Sequence, residues 1–269
     1  MDMKMGFIGS GNMGGAIIGG IVNGKIAVPS DIIVSDKNEA ALKKINSEYA
    51  VNTTTDNKTV AKEADILFLC VKPQFLYLVI DEIKDSVSEN TVIVSIVAGQ
   101  SIETITSAFG KKIKLIRVMP NTPALVGEGM AALTTNENVT KEEADIVLNV
   151  FNSFGKGEIV SENLMDAVTA VSGSSPAYVF MMIEAMADAA VIGGMPRSQA
   201  YTFAAQAVMG SAKMVLETGK HPGELKDMVC SPAGTTIDAV ASLERSGFRS
   251  SVIDAMISCM NKSKELGKK

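Results

Sequence analysis

Residues 5–14 read Met-Gly-Phe-Ile-Gly-Ser-Gly-Asn-Met-Gly, and the fold is decided there. A short apolar strand over residues 3–8 runs into Gly9, Gly11 and Gly14, spaced G-x-G-x-x-G, and an amphipathic helical pattern follows at once. Each glycine has its own duty in a dinucleotide site. Gly9 allows the tight turn, Gly11 lets backbone approach a pyrophosphate, and Gly14 lets the helix pack close to the strand. The pyrophosphate then rests on the positive end of the helix, where backbone N–H groups lack partners. A glycine-rich turn without a ligand is the bland alternative, and the motif's place directly after a strand argues against it.

The 269 residues suit two domains, here expected over residues 1–161 and 162–269. Apolar residues make up 46% and charged residues 20% of the chain, enough for a sizeable core and against disorder. The net charge of -5 is spread in mixed signs with no basic face, which argues against a nucleic-acid partner. Cys70, Cys230 and Cys259 are odd in number, far apart and accompanied by a single histidine, His221. Reduced thiols in a cytoplasmic protein are therefore expected, with no disulfide framework and no metal site. The opening strand also leaves no signal peptide in the reading. Residues 178–183 and 189–195 are membrane-like in composition, but Glu184 and Asp188 interrupt them on one helical face, so a buried helix is expected and no membrane span.

The first helix is expected over residues 12–23 with Gly24 as its C-cap. The strand over 31–35 ends in Ser35-Asp36-Lys37. A carboxylate there suits the ribose 2′-hydroxyl of NAD, whereas serine and lysine suit a 2′-phosphate, so the two signals conflict. Asn57 is either an N-cap of the helix over 59–63 or a contact to the adenosine phosphate. The strands over 65–71, 91–97 and 113–118 end in Lys72-Pro73, Ala98-Gly99 and Met119-Pro120-Asn121. In open α/β sheets the ligand lies beyond the carboxyl ends of the strands, so these three loops are where the far half of a cofactor rests. A strand over 130–134, a helix over 141–151 and a strand over 156–160 complete a Rossmann-type doubly wound parallel sheet.

After residue 162 the strand pattern stops, and helices are expected over 164–172, 175–192, 197–218, 222–228, 232–246 and 250–266. Ser175-Pro176 and Ser231-Pro232 read as Ser at N-cap with Pro at N1. Several of these helices are apolar around most of their circumference, which a domain of this size cannot hide alone, so an all-α dimerisation domain is expected. Residues 221–244 differ, with small and hydroxylated residues crowding a helix start. Ser231, Gly234, Thr235 and Thr236 aim N–H and hydroxyl groups at an anion, and a carboxylate there gains roughly 0.3–2 kcal/mol from the helix dipole. Ser172-Gly173-Ser174-Ser175 is a second candidate of the same kind, and helix capping is the alternative for both.

With these motifs together (the glycine fingerprint, V-K-P, M-P-N-T-P, S-G-S-S-P-A-Y and residues 221–244) the chain resembles the pyrroline-5-carboxylate reductases from Gly6 to about Leu266. The order Pro222, Leu225, Val229, Ser231, Gly234, Thr236, Ala239 and Leu243 is the most specific part. The resemblance implies reduction of 1-pyrroline-5-carboxylate to proline with NADPH or NADH, leaning to NADPH. It also implies a dimer built through the helical domain, assembled further into a decameric ring. Carried over by position, cofactor contacts fall on Ile8, Gly9, Ser10, Gly11, Asn12, Met13, Asn57, Val71, Lys72, Pro73, Ala98 and Gly99. The adenosine-end contact falls on Ser35 or Asp36, beside Lys37. Substrate contacts fall on Glu162, Thr235 and Thr236, and the backbone from Ser231 through Ala233 and Gly234 to Thr235 is expected to hold the carboxylate. The sequence departs from the family at Met228, where asparagine is frequent, and at Ser175, where glycine is frequent.

In that reading Thr236 carries a light catalytic duty, hydrogen-bonding the ring nitrogen directly or through water, while orientation does most of the work. His221, before Pro222, reads as a turn residue. Two rivals stand beside it. A β-hydroxyacid dehydrogenase resembles a design with a lysine on the helix after the Ser-Gly motif, and residues 175–192 contain none. A nucleotide sensor would need no anion-binding loop.

Overall fold

Short apolar runs that pair side by side build the first half of the molecule, because a strand buried on both faces needs no polar alternation. The computed structural model describes residues 3–267; residues 1, 2, 268 and 269, the outermost ends of the two expected domains, lie outside the described residues. Among the described residues eight strands form one sheet: β1 (Met5–Ile8), β2 (Ile32–Ser35), β3 (Asn52–Thr54), β4 (Ile66–Leu69), β5 (Val92–Ser95), β6 (Lys114–Met119), β7 (Gly129–Thr135) and β8 (Gly155–Ile159). Their order is β3-β2-β1-β4-β5-β6-β7-β8. The order reverses at β1, which pairs in parallel with both β2 and β4. The expected parallel sheet is broken at one place: β7 runs antiparallel to β6. The two are joined by a 3-10 turn, Thr122–Val126, with no crossover helix to turn the chain back.

Helices cover both faces. α1 (Asn12–Asn23), α2 (Glu39–Tyr49) and α6 (Lys141–Asn152) contribute Ile17, Ile21, Ile45, Val147 and Phe151 to one core layer. α3 (Asn57–Glu63), α4 (Leu76–Ile83) and α5 (Ile102–Phe109) contribute Val60, Leu76, Ile80, Ile105 and Phe109 to the other. Phe7 and Phe68 face each other across β1 and β4 with rings stacked 4.5 Å apart. α3 starts earlier than expected, at Asn57, because Asp56 and not Asn57 caps it, accepting from the N–H groups of Lys58 and Thr59.

Residues 162–174 follow as a 3-10 turn, the short helix α7 (Met165–Val168) and a π-helical turn, Thr169–Gly173. Residues up to Ser174, together with those from Cys259 onward, form one compact unit, and Ser175–Ser258 form the second. The second unit holds α8 (Ser175–Ile192), α9 (Arg197–Thr218), α10 (Pro222–Met228), α11 (Thr235–Arg245) and the first half of α12 (Phe248–Leu266). Two expected helix starts are corrected. Ser175 is inside α8 instead of capping it, because the preceding π turn already delivers helical backbone. α11 begins at Thr235, after a turn at residues 231–234, and not at Pro232.

In the single chain the helix expected to be buried over residues 178–195 is not buried within its own unit. Within the second unit only Ala187, Ala200 and Ala204 are buried among the described residues, whereas Phe180, Met181 and Phe203 are at least 60% exposed. Small side chains let α8 and α9 approach, and the large apolar ones around them are left for another surface.

Candidate active site

The turn after β1 has the geometry that its glycines imply. Gly9 takes φ +103, and a Cβ there would sit 2.6 Å from the Cys70 carbonyl oxygen. A Cβ on Gly14 would press on the Gly9 carbonyl oxygen at 2.5 Å. Gly11 is different, because a Cβ there meets nothing within 4 Å. Gly11 is also the N-cap of α1, has no side-chain cap hydrogen bond, and is followed by a first turn without an acidic residue. The free N–H groups of that turn face open space and fit a pyrophosphate.

A cavity of about 340 Å³ opens beside this turn, at the carboxyl ends of β1, β2 and β4. Ile8, Gly9, Gly11, Asp36, Lys37, Asn57, Val71 and Lys72 line it, so most of the expected adenosine-side residues come together. A larger hollow of about 530 Å³ includes Ser10, Gly11 and Asn12 but runs away along α1 to Asn23, leaving the strand ends behind. The strand ends make the smaller cavity the better fit for a dinucleotide. Cys70 also lines it, and burial pushes its thiol well above the ordinary range.

Asp36 is turned towards the glycine turn. One carboxylate oxygen accepts from the Ser10 N–H at 2.7 Å and its hydroxyl at 2.8 Å, and the other accepts from the Asn38 N–H at 2.9 Å. Partial burial pushes the carboxyl up, but these hydrogen bonds outweigh it and hold the group below its ordinary value. Ser35 is fully buried behind the cavity and donates to Asn57 Oδ1 at 2.8 Å. Asn57 Nδ2 in turn donates to Glu82 at 2.9 Å. Met13 packs against the core below the turn.

Other expected cofactor residues lie in loops outside that cavity. Ala98 is exposed and Gly99 takes φ +72 beside Leu266 of α12. Met119 closes β6, and Pro120 and Asn121 follow it. Asn121 is buried: its amide donates to the Ser172 carbonyl at 3.0 Å, and its oxygen accepts from the Met130 N–H at 2.8 Å. Pro73 opens a 3-10 turn, Pro73–Phe75. Glu162, expected at the substrate, accepts from the Ile102 N–H at 2.7 Å and from Arg117 at 2.9 Å.

In the second unit, His221 caps α10 through Nδ1, which accepts from the Gly223 N–H at 3.0 Å, as a turn residue should. Ser231, Pro232 and Ala233 turn the chain, with Ala233 at φ +57 and the Gly234 N–H donating to the Ser231 carbonyl at 3.1 Å. Gly234 is the N-cap of α11 and carries no side-chain cap hydrogen bond, so the first-turn N–H groups at Thr235 and Thr236 stand available to an anion. The second candidate, residues 172–175, is not such a site. It lies within continuous helical backbone, and the Ser174 N–H already donates to the Thr169 carbonyl at 2.8 Å.

Comparison with known proteins decides what these two halves belong to. The pyrroline-5-carboxylate reductase of Escherichia coli (strain K12) is 53% identical over 100% of both chains. The chain belongs to the pyrroline-5-carboxylate reductase family. A family model described as pyrroline-5-carboxylate reductase dimerisation matches residues 162–266, and one described as NADP oxidoreductase coenzyme F420-dependent matches residues 4–99. Among solved structures, a pyrroline-5-carboxylate reductase from Coxiella burnetii superposes with a TM-score of 0.94 at 34% identity over 100% of both chains. A pyrroline carboxylate reductase from Plasmodium falciparum with NADP bound gives 0.89 at 34% identity over 98% of both chains.

The dimerisation model covers the exposed apolar helices, so in this family member they are the material of a homo-oligomer. The helix Glu162–Ile192 is long and apolar enough to cross a membrane by length and composition alone, and an oligomer face passes the same test. Among the described residues no group of three His, Cys, Asp or Glu side chains is placed to hold a metal. Sequence reasoning missed three contacts: Ser10 with Asp36, Asn121 with Ser172, and Arg117 with Glu162. Only the last left a trace, a lone arginine inside the apolar run of β6.

Proposed function

We propose that the chain reduces 1-pyrroline-5-carboxylate to L-proline with NADPH or NADH, the final step of proline biosynthesis. The observation that carries this reading is a pair of helix starts with glycine at the N-cap and no side-chain cap, one at Gly11 beside the strand-end cavity in the first unit and one at Gly234 after the 231–234 turn in the second. The first suits a pyrophosphate and the second a carboxylate. Family membership supplies the substrate and the coenzyme.

A reduced nicotinamide, when bound, would supply a hydride to the imine carbon. Residues 1–161 serve as the coenzyme domain. Ile8, Gly9, Ser10, Gly11, Asn12 and Met13 form the phosphate turn, with Asp36, Lys37 and Asn57 at the adenosine end and Val71 to Pro73 beside it. Ala98, Gly99 and Met119 to Asn121 carry the nicotinamide end. Residues 162–269 serve as the substrate and dimer domain. Backbone N–H groups from Ser231 through Ala233 and Gly234 to Thr235 hold the carboxylate. The Thr236 hydroxyl oxygen accepts a hydrogen bond from the protonated ring nitrogen, directly or through water, and so favours that form. Glu162, whose second carboxylate oxygen is left over from its bonds to Ile102 and Arg117, is read as a further substrate contact. Proximity and orientation supply most of the rate. The dimers assemble further into a decamer, and the enzyme is cytoplasmic, with no nucleic-acid or membrane partner.

Co-crystallisation with NADP and L-proline tests this reading. Proline carboxylate density at residues 231–235 supports it, and a ligand elsewhere with that helix start empty overturns it.

A further inference from the structure

Glu162 Oε1 accepts two hydrogen bonds at once, from the Ile102 N–H at 2.7 Å and from Arg117 Nη1 at 2.9 Å. Ile102 opens α5, directly after the loop at residues 98–101. Arg117 lies in β6, two residues before Met119. One carboxylate oxygen therefore joins the roots of two neighbouring strand-end loops. Both loops are held elsewhere as well. Gln100 accepts from the Tyr77 hydroxyl at 2.6 Å, and Asn121 bridges Met130 and Ser172. The Arg117 side chain is 13% exposed and that of Glu162 35%, so water screens the pair only in part. Among the described residues no other cation pairs with Glu162, and its second oxygen has no hydrogen-bond partner.

We infer that Arg117 is a positioning residue for the reacting half of the coenzyme. Through Glu162 it holds the loops at residues 98–101 and 119–121 in the register that hydride transfer needs. The inference rests on the reading of those loops as nicotinamide contacts. The adenosine half is held separately, by the turn at Gly9 and by Asp36 and Asn57, none of which touches Arg117 or Glu162. Removal of the guanidinium leaves a partly buried carboxylate with the Ile102 N–H as its one donor and breaks the link between the two loop roots, so their relative register is no longer fixed through Glu162. A misplacement of about 1 Å at a reacting centre costs about a hundredfold in rate, whereas ground-state binding of a distant fragment is untouched.

The test compares Arg117→Leu and Arg117→Lys with the unaltered enzyme, by titration with 2′,5′-ADP, which carries only the adenosine half, by titration with NADPH, and by kinetics with pyrroline-5-carboxylate. In Arg117→Leu the dissociation constant of 2′,5′-ADP is expected to stay within about twofold, that of NADPH to rise about fivefold or more, and kcat to fall about tenfold or more. Arg117→Lys restores a cation without the planar fork and is expected to recover part of the loss in kcat. Equal weakening of both ligands, an unchanged kcat, or a lysine variant no better than the leucine variant overturns the inference. If Arg117→Leu does not fold, Arg117→Gln takes its place under the same criteria. An unaltered enzyme that is inert on pyrroline-5-carboxylate refutes the functional reading instead, and the comparison of the two titrations still decides the part played by Arg117.

Discussion

Ser10 and Asp36 are joined twice: the Ser10 N–H and hydroxyl donate to the same carboxylate oxygen at 2.7 and 2.8 Å. A carboxylate at the end of the second strand ordinarily serves the ribose hydroxyls, and on that basis its removal would favour NADPH over NADH. Here the group braces the phosphate turn. Asp36→Ala is therefore expected to raise KM for both coenzymes by a similar factor, about tenfold for the loss of charge-assisted hydrogen bonds worth about 1.5 kcal/mol. Steady-state kinetics with each coenzyme checks this, and a gain for NADPH alone restores the ribose role.

The same contact sets a pH dependence. The folded carboxyl lies below its ordinary value, so it stabilises the protein above the unfolded value and loses that contribution as pH falls through the folded one. The gap in Tm between the unaltered protein and Asp36→Asn is expected to hold from neutrality to about pH 5 and to close below about pH 4. Calorimetry across that range reads it directly.

Gly9 and Gly11 separate backbone strain from ligand access. Gly9→Ala places a Cβ against the Cys70 carbonyl at positive φ, and a loss of about 1–3 kcal/mol in stability is expected. Gly11→Ala meets only open space, so Tm should move by no more than about 2 °C while NADPH binding weakens about tenfold. Calorimetry and a binding titration on the two variants distinguish these outcomes.

The exposed side chains of α8 and α9 offer a test of assembly. Phe203→Glu puts a charge on an apolar face 66% open to solvent in the single chain. The variant is expected to sediment as a smaller species than the unaltered protein, with its activity reduced. An unchanged sedimentation coefficient means that Phe203 lies outside the contact.

How far the sequence could be read depended on how local each signal was. The glycine spacing at Gly9, Gly11 and Gly14, the ends of α1, α9 and α10 and the C-terminal end of α8 were legible, because turn chemistry and helical period act over a few residues. The direction of β7 was not, since an apolar run pairs equally well either way. Ser231-Pro232 misled for a local reason: the pair suits a helix start, but the chain makes a separate turn through Ala233 before α11 begins. Asp36 was found as a site residue, while its partner, 26 positions away, was invisible. Arg117 and Glu162 are 45 positions apart, and no periodicity links them.

The most direct measurement follows NADPH absorbance after addition of 1-pyrroline-5-carboxylate and counts L-proline in the same sample, for the unaltered enzyme and Thr236→Val. One proline per NADPH consumed is expected, with kcat/KM about tenfold or more lower in Thr236→Val at unchanged Tm. A flat trace with both NADPH and NADH, or a Thr236→Val enzyme as active as the original, contradicts the account.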